Sequence, residues 1–333
     1  MIFTLVRIEL LKIFRKWRTY IGFIAIGILV PLLHLAMYLE GQNSLDFITR
    51  GLRDSFVLVG NLLNGYWISY IILNALTVHI PFLIALVAGD LLAGEATAGT
   101  YRILVTRPIS RIQIVTSKFL SGLIYTSSLI LFLAIMSLVL GLIIFGSGEL
   151  IVVGSQSIII FEKTDILWRF LLAYGFAILS MTVVCSLAIL FSSLVENAIG
   201  PIVSTMAVII IFIILSAFNV EILKEIRPYL FTNYMLNWRE FFNDPLDFSE
   251  ISKAVAVLSG HIILFFTATS LRKDVLPSWQ VMATSALSAR LACLKPSRTL
   301  LLRYRPGKSM RVTSSSFVMK APVADPACGR CWR

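Results

Sequence analysis

Six stretches without a single Asp, Glu, Lys or Arg decide what this chain can fold into: residues 19–39, 55–89, 119–148, 170–195, 197–220 and 254–271. A hydrocarbon core about 30 Å thick is crossed by about 20 apolar residues in a helix rising about 1.5 Å per residue. Each stretch is long enough to cross with some tilt. Helix is required, because hydrocarbon offers free backbone N–H and C=O groups no partner and none of the stretches alternates like a barrel strand. Composition agrees: 14% of residues are charged and the mean hydropathy is +0.87, where a soluble domain carries roughly 25% charged residues. The sequence therefore reads as an all-α integral membrane protein with six transmembrane helices. The second stretch exceeds one span, so its helix is placed near residues 68–88, with the segment before it along the outer surface. Only Glu196 separates the fourth and fifth stretches, which predicts a tight helical hairpin.

Orientation follows from the basic residues. Arg7, Lys12, Arg15, Lys16 and Arg18 precede the first span, and Arg102, Arg107, Arg111 and Lys118 follow the second. The positive-inside rule puts both regions in the cytoplasm, and six spans then leave both termini there. Residues 221–250, the outer segment before the last span, are acidic by comparison. Residues 1–18 read as an interfacial amphipathic helix: at 100° per residue Ile2, Phe3, Val6, Leu10, Ile13, Phe14 and Trp17 share one arc, with every charge outside it. The pattern is not that of a cleaved signal sequence. Arg111 and Lys118 read as headgroup anchors at the base of the third span.

Residues 90–111 form the most informative connection. Gly94-Glu95 and Gly99-Thr100 bracket a short segment, Thr100, Arg102, Ile103, Leu104 and Val105 fit about one and a half helical turns, and Arg107-Pro108 blocks continuation. A new helix can start at Ser110, which has capping-box spacing to Gln113. This pattern, with Leu104, Ser110-Arg111 and Lys118, resembles the segment between the second and third spans of ABC-2 type permeases, the membrane subunits of bacterial ATP-binding cassette exporters. The resemblance covers residues 1 to about 275, with Ala96, Thr97 and Ala98 standing where relatives often carry charge. It implies a plasma-membrane (bacterial inner membrane) permease subunit that forms half of an export path. Its partners would be a separate ABC ATP-binding subunit and a second permease subunit, in a homodimer or heterodimer. Residues 90–111 would be the coupling segment. There Glu95, Thr100, Arg102, Ile103, Leu104, Arg107, Pro108 and Arg111 are the expected contacts, with Ile103 and Leu104 filling a cleft and the charges setting register at its rim.

The remaining chemistry is thin, and the chain is not expected to be an enzyme or to hold a cofactor or metal. Gly307-Lys308-Ser309 lacks the earlier glycine of a P-loop, because Leu302 occupies that place. His34, His79 and His261 fall in separate spans and read as structural hydrogen-bonding groups; Cys185 reads as packing. Pro81 should kink the second span and free the carbonyl near Thr77. Tyr229, Phe231, Tyr234, Trp238, Phe241 and Phe242 read as an aromatic belt of the outer segment. The alternatives are a secondary transporter, which should show an inverted repeat, and a membrane-embedded enzyme, which should show convergent nucleophiles or acids. Residues 271–333 carry 12 basic and 2 acidic side chains of the chain's 29 and 18. That makes residues 275–333 a basic, disordered and possibly out-of-frame tail, able to attract membrane lipid and with no fold for nucleic acid.

Overall fold

The computed structural model describes residues 2–53, 63–98, 110–153, 158–195, 197–218, 221, 225 and 227–271. Contacts divide the chain into two units, Met1–Trp279 and Gln280–Arg333, and the second lies wholly outside the described residues, as does the predicted tail. Among the described residues six helices are long and apolar enough to cross a membrane: Trp17–Asn43, Ile80–Thr97, Ile112–Phe145, Lys163–Ser192, Ile199–Ala217 and Phe248–Leu271. The chain is a multi-pass membrane protein.

Burial separates these spans into a centre and a rim. In their most apolar stretches, 72% of the fourth span and 67% of the second are buried, against 22% of the first and 17% of the fifth and sixth. The fourth span packs on the second, third, fifth and sixth. Ala173, Ala177, Val184, Cys185 and Ala188 are all buried, and over residues 180–189 the span meets protein all round, while Leu171 and Leu172 nearer its start stay exposed. The outward faces of the first and fifth spans keep Ile28, Leu32, Ile199 and Val203 exposed, as hydrocarbon contact permits.

The second span departs from the expected helix at residues 68–88. Gly65–Leu76 forms one apolar helix, a turn follows over residues 77–79, and Ile80–Ala88 forms the next helix with Pro81 at its start. The reason is chemical: Pro81 has no N–H to donate to Thr77, so the helix restarts where proline's fixed φ suits its first turn. The Thr77 hydroxyl turns back to the Leu73 carbonyl, and His79 N–H reaches Leu76 O at 2.9 Å. The path then continues through Gly89 into Asp90–Thr97, so the membrane-competent window holds Asp90 and Glu95. The sequence reading left both in a loop.

Three further features revise the sequence reading. Leu150–Val153 and Ile158–Phe161 pair antiparallel, with Leu150 opposite Phe161, so the connection between the third and fourth spans holds a small hairpin in an otherwise helical chain. Its β-branched runs suit a pleated surface. The outer aromatic residues are not a belt: Phe231, Trp238 and Phe242 are fully buried, Tyr234 and Phe241 nearly so, and only Tyr229 is open. Trp238 and Phe242 meet Tyr70 edge-on at 5.6 and 5.2 Å, and Phe242 meets Phe170 at 4.9 Å. Arg169 holds this aromatic plug in place, donating to the carbonyls of Phe241 and Asn243 at 2.9 and 3.0 Å while its guanidinium lies 4.3 Å over Phe161.

The third departure concerns the N-terminal helix, Ile2–Arg15. Only part of its apolar arc is buried: Val6 and Ile13 face the third span, whereas Phe3 and Trp17 are open. Glu9, assigned to the polar face, is buried. A carboxylate inside apolar packing needs compensating charge, and its source forms the site described next.

Candidate functional site

Glu9 and Lys12 lie three residues apart on the N-terminal helix and therefore on one face. That face meets the helix Asp90–Thr97, which presents Glu95, and the third span, which presents Lys118. Lys12 Nζ lies 2.8 Å from both Glu9 Oε1 and Glu95 Oε1; Lys118 Nζ lies 2.9 Å from Glu9 Oε2 and 3.0 Å from Glu95 Oε2. The four charges alternate in a closed ring of zero net charge. Lys118 also donates to Leu91 O at 2.8 Å, in addition to its hydrogen bond to Glu9 Oε2 and its ion pair with Glu95. Lys118 is only 1% exposed, which corrects its reading as a headgroup anchor. Burial opposes the charge on Lys12, but hydrogen bonds to Glu9 and Glu95 outweigh it and hold the ammonium above its ordinary value of 10.5.

A second cluster adjoins the ring. Asp90 accepts from Lys16 Nζ at 2.7 Å and from Arg18 Nη1 at 3.3 Å, tying the junction between N-terminal helix and first span to the same short helix. Gly94 makes this possible, because a Cβ there would stand 2.3 Å from Asp90 Oδ1. A hydroxyl completes the attachment. Ser192, at the end of the fourth span, donates to Gly89 O at 2.6 Å and accepts from Leu92 N–H at 3.1 Å and Ala93 N–H at 2.9 Å. These bonds bridge the break between Ile80–Ala88 and Asp90–Thr97. Ser192→Ala is expected to cost about 2 kcal/mol, because buried backbone groups lose their partner; thermal unfolding in detergent measures it, and an unchanged midpoint contradicts the bridging role.

Of the residues predicted to couple to a partner, Glu95 stands in the ring, facing inward at 8% exposure rather than on an outer rim. Arg111 is the first residue of the third span's helix, after a capping box in which Gln113 N–H donates to Ser110 Oγ at 3.3 Å and Ser110 N–H donates to Gln113 Oε1 at 3.2 Å. Thr100, Arg102, Ile103, Leu104, Arg107 and Pro108 lie outside the described residues. Sequence reasoning missed Glu9, Lys12, Lys16, Arg18, Asp90 and Lys118 as one assembly. The available signal was the placement of charges just beyond the apolar runs, but nothing local pairs residues 109 positions apart.

The histidines stay apart. His34, His79 and His261 each place Nδ1 2.8–3.0 Å from the carbonyl four residues earlier, His34 and His261 within their own helices and His79 from the turn back to Ala75, none of these contacts reaching another span. Among the described residues no group of three or more His, Cys, Asp or Glu is arranged to hold a metal.

Residues 23–275 match the family described as "Protein of unknown function (DUF2705)". The chain belongs to this family. The matched region takes in the first span from residue 23 onward and the other five whole, with Asp90, Glu95 and Lys118, while Glu9, Lys12, Lys16 and Arg18 precede it. The DUF2705 chain is also similar to the uncharacterized protein YhcI of Bacillus subtilis (strain 168), at 43% identity over 63 residues, 19% of this chain and 20% of the relative. It thus matches about a fifth of the length of that curated relative.

Proposed function

We propose that this DUF2705 protein is the permease subunit of an ABC exporter of the ABC-2 type, forming half of a transmembrane path that a separate ATP-binding subunit drives. In this reading residues 90–111 are the coupling segment, both termini face the cytoplasm of a bacterial cell, and the N-terminal helix lies in the interface with Phe3 and Trp17 toward lipid. A second permease subunit completes the path. The chain itself carries no ATPase chemistry and receives movement through contact.

One observation carries the reading: the start of the 90–111 segment is bonded to three other elements at once. Asp90 and Glu95 reach the N-terminal helix and its junction with the first span, Glu95 reaches Lys118 in the third span, and Gly89, Leu92 and Ala93 reach Ser192 in the fourth. A short rigid projection so fixed transmits a displacement instead of absorbing it. The turn at residues 77–79 and the break at Gly89 lie behind it as the points where the second span can bend.

Leu104→Asp tests the partner contact, because it places an unpaired charge where an apolar anchor is expected. Retention of the ATP-binding subunit in co-purification should fall by roughly tenfold or more while membrane yield and melting stay unchanged. A variant that still binds and drives its ATPase normally overturns the assignment.

A further inference from the structure

An open cleft of about 410 Å³ lies where the N-terminal helix joins the first span. Its lining includes Lys16, Trp17 and Arg18 from the junction, Asp90 and Gly94 from the short helix, and Ala198 from the connection between the fourth and fifth spans. The volume lies within the range of about 300–1,000 Å³ usual for small-molecule sites. Among the described residues its charge is unbalanced: two cations face one carboxylate, and Asp90 takes one hydrogen bond from each. The side chains of Lys16 and Arg18 remain 45% and 50% exposed, and an ammonium has three donors and a guanidinium five. Trp17, 76% exposed at the first residue of an apolar span, marks the depth of the membrane interface.

We infer that this cleft binds the headgroup of an anionic phospholipid, with the phosphodiester on Lys16 and Arg18 and the glycerol region against Trp17. A phosphodiester carries one negative charge, which brings the two cations and Asp90 to neutrality. Gly94 lets the Asp90 carboxylate lie flat on its own helix, since a Cβ would stand 2.3 Å from it, and so the carboxylate holds both cations without filling the space between them. A lipid whose headgroup adds a choline cation restores the excess positive charge, so the site prefers phosphatidylglycerol to phosphatidylcholine. The bound lipid would brace the junction of the N-terminal helix, first span and Asp90–Thr97. This inference requires only that the chain spans a membrane and stands apart from the proposed ATPase coupling.

The test uses the full chain purified from an equimolar mixture of phosphatidylglycerol and phosphatidylcholine, with retained lipid counted by native mass spectrometry. The unaltered protein should retain one phosphatidylglycerol per chain in preference to phosphatidylcholine. Lys16→Gln with Arg18→Gln should reduce that retention by at least tenfold, since each cation at a membrane surface contributes about a factor of five and the two together about 25. The control Arg7→Gln with Arg15→Gln removes equal charge from exposed positions of the N-terminal helix that do not line the cleft, and should change retention of the one site-bound lipid less than about twofold. If the first pair melts early because Asp90 is stranded, adding Asp90→Asn leaves no unpaired charge and should show the same loss. Equal retention of the two lipids, equal loss in the control, or displacement by inorganic phosphate in place of lipid would each overturn the assignment.

Discussion

Replacing Lys118 by Met is expected to destabilise the protein by about 3–5 kcal/mol and to release the N-terminal helix from the bundle. The substitution keeps the apolar stem but removes the buried one of the two cations that bridge Glu9 and Glu95, leaving as their shared partner Lys12, the half-exposed member of the ring. Uncompensated carboxylates in apolar packing either bind a proton or pull their helix toward water. Glu9→Gln in the Lys118→Met background restores a neutral pair, Lys12 with Glu95, and should recover at least half of the loss. The readouts are thermal unfolding in detergent and protease cutting within residues 2–15. A Lys118→Met protein that melts like the unaltered chain and resists protease would show that the ring contributes nothing to holding the helix.

Gly65→Ala should be nearly as damaging, for a steric reason. A Cβ at Gly65 would stand 2.6 Å from the backbone carbonyl and the next amide nitrogen of Gly141–Leu142, atoms that no rotamer change can move. The helix Gly65–Leu76 and the third span therefore cross at a pair of glycines. Around the crossing the Ser69 hydroxyl lies 2.7 Å from Gly65 O and 2.8 Å from Ser137 O, and Ser137 Oγ lies 2.6 Å from the Tyr174 hydroxyl. Separating the helices breaks the Ser69–Ser137 bond as well, so the expected loss is about 3 kcal/mol, at the upper end for overpacking. Gly141→Ala meets Gly65 O and Ser69 Oγ at 3.1 Å and should cost less. Gly175→Ala, with nothing within 4 Å, should be neutral or stabilising by up to about 1 kcal/mol from helix propensity. Equal melting of the Gly65 and Gly175 variants would contradict the crossing.

Ser192→Ala and Leu104→Asp separate two parts of the proposed coupling. The first loosens the attachment of the short helix inside the membrane protein, and the second removes only an outward contact. A transport defect in the first with normal ATPase binding would place the transmission of movement at the Gly89 break.

The membrane class and the six spans were legible in the sequence because the bilayer imposes them on each segment separately: a long uncharged run must satisfy its own backbone, and only a helix does so. A disturbance of the helix at Pro81, though not its full break and restart, and the Ser110–Gln113 capping box were legible for the same kind of reason, since a missing N–H or a serine three residues before a glutamine acts locally. Everything that depends on which faces meet had to come from the tertiary structure. Lys118 lies beside an apolar run like any anchor, and its burial depends on two carboxylates 109 and 23 positions away. Trp238 and Phe242 suit an interface by type, yet they are buried because Tyr70 and Phe170 present rings to receive them. Local hydropathy ranks the cost of leaving water for one residue at a time, whereas a buried charge or an inward aromatic is stabilised by partners from other spans. Those partners are set by packing, to which a linear pattern of polarity is blind.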